Sequence, residues 1–224
     1  MEQAPSRMLV TLRACGALRV LLPEVDALFG VPQRADFHPE VDTGAHVLLA
    51  LDMAARRGDP LPVRYAVLLH DLGKAFTPAD DLPRHPGHEA RGLAGVDAVS
   101  TRLRAPVECR DVARLTARYH GDIRRGPQLR AATIVRLLEE CDALRRPERF
   151  SLVLDACACD YLGRAGWGDK PLPAPTLFTA ALEAARGVDA GAIARACAER
   201  SQIPLRVHAA RVAAVKAVLG EGAA

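Results

Sequence analysis

The run Tyr65-Ala66-Val67-Leu68-Leu69-His70-Asp71-Leu72-Gly73-Lys74 decides the reading of this chain. An apolar stretch with helical spacing ends there in a histidine followed directly by an aspartate. Buried beside such a stretch without a partner, either polar group would cost on the order of several kcal/mol. A divalent metal would stabilise both, because it takes neutral imidazole and carboxylate together. Further side chains of the same kinds stand upstream at His46 and downstream at His88, His120 and Asp142, each in or beside an amphipathic helical segment.

Working outward, the rest of the chain reads as helix. Half of the 224 residues are apolar and only 4% are aromatic, with Ala, Leu, Val and Arg dominant. That composition favours packed helices over a sheet, and no alternating run reads as a strand. A first helix is expected from Ser6 to about Val20, then a short turn of helix from Pro23 to Phe29 and a polar loop from Gly30 to Pro39. Asp42 or Thr43 caps the next helix, which carries His46 to about Arg57 and stops at Gly58-Asp59-Pro60. Pro62 opens the helix that delivers His70 and Asp71, with Gly73 as its C-cap. The segment from Phe76 to Gly87 holds three prolines and the adjacent Asp80 and Asp81, so it reads as a loop through which substrate reaches the metal.

Helices are then expected at about 88–103, 106–120, 129–144, 147–162, 175–185, 190–198 and 204–219. In the third of these, Ile134, Leu137, Leu138, Cys141 and Leu144 form an apolar stripe with Asp142 at its edge. The expected architecture is all-α: a helical bundle with a lead-in helix over 1–170, and a C-terminal helical extension over 171–224 packed on it.

The formal charge of +3 suits an anionic substrate but does not by itself point to nucleic acid. Six cysteines (15, 109, 141, 157, 159 and 197) form no CxxC pair. They read as reduced, buried thiols and not as a zinc-thiolate site. The start MEQAPSRMLVTLRACG lacks the long apolar core of a signal peptide. No apolar run reaches membrane-spanning length. A soluble, cytoplasmic protein is expected.

Six of the seven histidines fall between residues 38 and 120. Any one of them has a plain reading as a satisfied core or surface side chain, and His38, His85 and His208 are read so. His46, His70 and Asp142 come from three different helices, the way bundles build metal sites from facing side chains. Neighbours on a helix diverge by about 100°, yet one ion reaches both His70 and Asp71 because imidazole is long and carboxylate short. Lys74 reads either as a helix-end lysine that favours the macrodipole or as a point charge on a substrate phosphate. Arg84 and Arg164 are candidates for the same work, with a surface salt bridge as their alternative.

The order H…HD…H…H…D over His46, His70-Asp71, His88, His120 and Asp142 resembles the HD-domain metal-dependent phosphohydrolases. The likeness narrows on Arg13-Ala-Cys-Gly-Ala-Leu-Arg19, Leu22-Pro-Glu-Val-Asp26, Leu28-Phe-Gly-Val-Pro32 and His38-Pro-Glu-Val-Asp-Thr-Gly44. It continues through His70-Asp-Leu-Gly-Lys74, Arg84-His-Pro-Gly-His88 and Asp160-Tyr-Leu-Gly-Arg164. These motifs resemble the C-terminal HD domain of bacterial multifunctional CCA-adding tRNA nucleotidyltransferases, from about Leu12 to Gly168. No counterpart of that family's nucleotidyltransferase head, with its Gly-Ser loop and paired carboxylates, is found in this sequence, so CCA addition is not expected of it.

The resemblance implies 2′,3′-cyclic phosphodiesterase, 2′-nucleotidase and phosphatase activity through a metal-bound hydroxide. It carries over on His46, His70, Asp71, Lys74 and Asp142, with Asp71 and Lys74 as the catalytic pair. It also implies that His88 and His120 complete a second ion's site while Asp71 bridges the two; the alternative is one ion, with those histidines on phosphate. Nickel, manganese, cobalt, iron and zinc all suit such ligands, and magnesium is admitted. The expected partners are a nucleotide or phosphoester substrate, with a tRNA 3′ end among the candidates, and no membrane. Two other readings compete. One is a helical RNA-binding module, or a nucleotidyltransferase fragment without catalysis, and the other is a di-iron oxygenase.

Overall fold

Proline and glycine set the first elements. The computed structural model describes residues 2–220; residue 1 and residues 221–224, the end of the expected extension, lie outside them. Pro5 opens α1 (Pro5–Ala14), and Gly16, at φ 77°, separates it from α2 (Ala17–Leu21) where one helix was expected. That left-handed conformation is cheap only for glycine. After α3 (Pro23–Asp26), the loop folds back on itself through one isolated bridge between Pro32 and Asp42. Asp42 then caps α4 (Thr43–Arg56), its carboxylate accepting from the Ala45 amide at 2.7 Å. Next come α5 (Leu61–Leu69), α6 (His88–Arg102), α7 (Val107–Arg124), α8 (Ala131–Glu140) and α9 (Pro147–Leu162). The series ends with α10 (Ala174–Arg186), α11 (Ala190–Ala196) and α12 (Ile203–Leu219). Among the described residues there is no strand, so the fold is all-α as expected. No helix among them is long and apolar enough to cross a membrane.

The chain divides into two units. One comprises Met1–Gly121 and Leu152–Leu172, the other Asp122–Ser151 and Pro173–Ala224. The second therefore takes in α8 together with the helices after 173.

In the first unit, Leu18, Leu28, Val47, Val63, Leu69, Leu72, Val96 and Val153 are all essentially inaccessible. Each contributes about 1.5–3 kcal/mol by leaving water. Two glycines let backbones meet there. A Cβ on Gly73 would stand 1.9 Å from the His88 carbonyl oxygen, so only glycine lets the 3₁₀ turn Leu72–Phe76 lie on the start of α6. A Cβ on Gly163 would stand 2.4 Å from Ala50 Cα, where the end of α9 lies against α4. In the second unit the rings of Phe150 and Phe178 meet edge to face, 6.1 Å apart.

Candidate metal centre

The two glycine contacts position the polar residues of the first unit. Gly163 brings α9 onto α4, and one turn back along each helix Asp160 meets His46. Gly73 brings the residues after α5 onto α6, and Asp71 meets His88. Helix α5 stops at Leu69, and Asp71 adopts φ −104°, ψ 9°, in a sparsely populated region of backbone space. The expected divergence of helical neighbours does not apply there, and His70 Nε2 lies 3.1 Å from Asp71 Oδ2. His120, from α7, completes the group.

Two sets of three result: His46, His70 and Asp160, and Asp71, His88 and His120, the ligand atoms of each lying within 4.8 Å of one another. In the first, Asp160 Oδ1 lies 3.0 Å from His46 Nε2 and 3.8 Å from His70 Nε2. In the second, Asp71 Oδ1 lies 3.4 Å from His88 Nε2 and 3.6 Å from His120 Nε2, and those two nitrogens are 3.3 Å apart. Asp71 faces both sets, one oxygen toward each.

Tautomers follow from the backbone. Nδ1 of His70, His88 and His120 donates to the carbonyls of Val67 (2.8 Å), His85 (2.8 Å) and Thr116 (3.0 Å). This assignment leaves the lone pair of each ring on Nε2. Lone pairs and carboxylate oxygens therefore converge with no proton of their own to separate them. Among the described residues, the buried His70 Nε2 and Asp71 Oδ1 have no hydrogen-bond partner. A metal–nitrogen distance of about 2.0–2.1 Å sets adjacent ligand atoms roughly 3.0–3.4 Å apart. Most of the spacings at this centre fall in that range and the others, 3.6 and 3.8 Å, lie just beyond it, so each set has the donors and the closeness to hold a divalent ion.

The electrostatics agree. Burial acts to raise the Asp71 carboxyl, but its neighbours His70 and Lys74 outweigh that and hold it well below the usual range. Asp160 behaves alike: burial is outweighed by the Arg164 charge and by His46 and His70. Burial pushes His120 down to about 3, keeping its imidazole neutral and fit to bind metal. His46 is raised, because the Asp160 and Glu40 carboxylates beside its ring outweigh its burial. Glu40 Oε1 lies 2.7 Å from His46 Nδ1, too poorly aligned for a full hydrogen bond, and 3.2 Å from His38 Nδ1. A carboxylate behind an imidazole fixes the ring and raises its basicity. Sequence reasoning missed Glu40.

His46, His70, Asp71, His88 and His120 thus stand together. Asp142 does not stand with them, and this corrects the expectation. Helix α8 ends at Glu140 and not near 144, and Asp142 lies past its C-cap at φ 53°. Its carboxylate, in the second unit, faces Arg146 and Arg149 at 3.6 Å each and Arg145 at 3.9 Å. Asp160 stands where Asp142 was expected. Its signal was in the sequence: a carboxylate directly after the apolar run Ala156-Cys157-Ala158-Cys159, inside a motif already singled out for Arg164.

Lys74 is buried, donating to Asp71 Oδ2 at 2.7 Å and to Gln33 Oε1 at 2.5 Å. It is neither a solvated helix-end lysine nor an unengaged charge. Arg164 is buried too, its Nη2 3.3 Å from Asp160 Oδ1 and its guanidinium 4.9 Å from the centre of the Trp167 ring. Its Nε and Nη1 have no partner among the described residues. Arg84 is exposed in the loop before α6, and its side chain forms no ion pair among the described residues. A cavity of about 500 Å³ bounded by Arg13, Arg19, Asp26 and Phe29 shares no residue with this centre.

Comparison with known proteins adds to this geometry. Residues 43–161 match the family model described as HD domain, a span that holds every residue of both sets. The chain is 59% identical over 219 residues to the "Multifunctional CCA protein" of Dechloromonas aromatica, covering 98% of this chain and 53% of that protein. It is also 59% identical over 218 residues to the protein of the same name from Azoarcus sp., covering 97% and 53%. The corresponding Burkholderia ambifaria protein is 55% identical over 223 residues, 99% of this chain and 54% of the relative. The chain spans about half the length of these relatives. No solved structure gives a significant match.

Proposed function

The chain belongs to the HD domain family of metal-dependent phosphohydrolases, and from that premise we propose that it hydrolyses nucleotide phosphoesters. Its substrates are 2′,3′-cyclic phosphates, 2′-phosphates and related monoesters, with the 3′ end of tRNA as a macromolecular source. The name shared by its relatives, multifunctional CCA proteins, supports a substrate from tRNA chemistry. The observation that carries the proposal is the shared carboxylate: Asp71 faces one histidine-bearing set with each oxygen.

His46, His70, Asp160 and Asp71 Oδ2 would hold one divalent ion, and His88, His120 and Asp71 Oδ1 the other. Bound there, such ions supply water of lowered pKa and offset charge on the attacking and leaving oxygens of a phosphoester. Asp71, ionised well below neutrality, serves as an acceptor that orients water and is too weak a base to drive the reaction by itself. Arg164 keeps two nitrogens for phosphate oxygens while its third is held by Asp160. The nickel, manganese, cobalt, iron, zinc and magnesium forms are to be compared directly. The six free cysteines suit a reducing, cytoplasmic setting.

The test is hydrolysis of 2′,3′-cyclic AMP, 2′-AMP and bis-p-nitrophenyl phosphate by metal-loaded protein. Turnover should stop with chelator and with Asp71→Ala. Wild-type protein of full metal content that turns over none of the three would overturn the reading.

A further inference from the structure

Gln33 is a buried side chain that the chemistry above does not use. It lies in the loop between α3 and α4, where its amide donates to the Val41 carbonyl at 2.6 Å and the adjacent Pro32 pairs with Asp42. The His85 ring, 3.0 Å from the Pro32 carbonyl through Nε2, holds the same stretch from the other side. The backbone is therefore fixed, and the side chain is only 2% exposed.

Its Oε1 accepts from Lys74 Nζ, the ammonium that also donates to Asp71 Oδ2. An ammonium donates only, so the carboxamide must turn its oxygen to Lys74, and the orientation of the amide is settled. Its NH2 group, on the same carboxamide that meets the Lys74 ammonium, is left buried with no acceptor among the described residues. A buried amide donor without an acceptor is costly and calls for one. Beside a centre built for phosphoesters, the fitting acceptor is a phosphate oxygen.

We infer that Gln33 contacts substrate, its NH2 donating to a non-bridging oxygen of the phosphate, and that Lys74 is the positioning residue that aims it. Lys74 then acts through Gln33 and Asp71 and does not touch phosphate. The inference rests on the phosphohydrolase reading and deepens it.

The experiment uses the metal-loaded full chain and reads three quantities: metal per chain, the Kd of inorganic phosphate by calorimetry, and kcat/KM on 2′,3′-cyclic AMP. Gln33→Glu keeps the shape and an acceptor for Lys74 but replaces the NH2 donor with an oxygen. Gln33→Met removes the donor without adding charge. Both should keep their metal and bind phosphate about ten- to a hundredfold more weakly, the worth of one hydrogen bond to a charged group. kcat/KM should fall with phosphate affinity.

Phosphate Kd within twofold of wild type in Gln33→Met would overturn the inference, even if Gln33→Glu is impaired, because the effect would then be one of charge at a distance. Loss of metal in both variants would overturn it as well, by making Gln33 a support of the ligands. Absence of phosphate binding by the wild type would also overturn it. If phosphate binds through Gln33 but no ester is hydrolysed, the hydrolase reading falls and this one stands.

Discussion

Asp160→Asn and Asp142→Asn form the sharpest pair of tests, because they place the same substitution at the observed and the expected carboxylate. The Asp160 carboxylate is buried beside the buried Arg164 guanidinium at 3.3 Å, with His46 Nε2 at 3.0 Å. Removing one partner of a buried pair costs about 3–5 kcal/mol. At roughly 2–4 °C per kcal/mol for a chain of this size, the metal-free variant should melt about 6–20 °C lower. Loss of a carboxylate that directly binds the ion should weaken metal binding by more than the 10–100-fold typical of its supporting partners (~100-fold or beyond). The stabilisation on adding metal, about 2.7 kcal/mol at a hundred times the wild-type Kd, should then fall to about 0.4 kcal/mol or less at that concentration. Asp142 is a third exposed and its arginines stand 3.6–3.9 Å away, which is worth about 0–1 kcal/mol. Asparagine also tolerates φ 53° as well as aspartate does. Asp142→Asn should therefore melt within about 4 °C of wild type and keep its metal. The assay is metal content by mass spectrometry beside thermal unfolding, with and without chelator. An Asp160→Asn protein that retains full metal, or an Asp142→Asn protein that loses it, would refute the assignment.

Three further outcomes are expected. His120→Gln should reduce bound metal from about two ions per chain to about one, since it disables one set while His46, His70 and Asp160 remain; unchanged stoichiometry would dissolve the second site. Gly73→Ala should cost roughly 1–3 kcal/mol by forcing the 3₁₀ turn off the His88 carbonyl, and an unchanged melting temperature would show the contact to be slack. Burial pushes His38 down to about 4, so between pH 6.5 and 4 the unfolded chain binds a proton that the folded one refuses. Stability of the metal-free protein should fall as pH drops through that window, and His38→Gln should flatten the fall in urea titrations. His46, raised in the folded state, works oppositely: its contribution is present below pH 6.5 and lost as pH rises through its folded value.

What was legible and what was not divides along a physical line. Helices were readable wherever proline or a capping side chain marks an end. Helix α9 starts at Pro147 and stops at Leu162 as expected, and Asp42 caps α4. Histidines and the His70-Asp71 pair were readable because few side chains explain a buried imidazole. Asp142 misled because an apolar stripe continues through Cys141 to Leu144 while the backbone does not. The helix ends at Glu140, and a left-handed residue turns the next carboxylate toward arginines. Gly73 was read as a helix cap, whereas its role is the close approach of two backbones, which only a partner more than a dozen residues away reveals. The same holds for Asp160 across from His46 and for Gln33 on Lys74. Their meaning lies in long-range pairing, 114 residues apart for His46 and Asp160, and no local period encodes that. Periodicity reports which face of an element is buried; it is silent on which buried polar group meets which. A carboxylate in an apolar helix is therefore evidence that a partner exists, and packing glycines such as Gly163 are the local clue to where that partner lies.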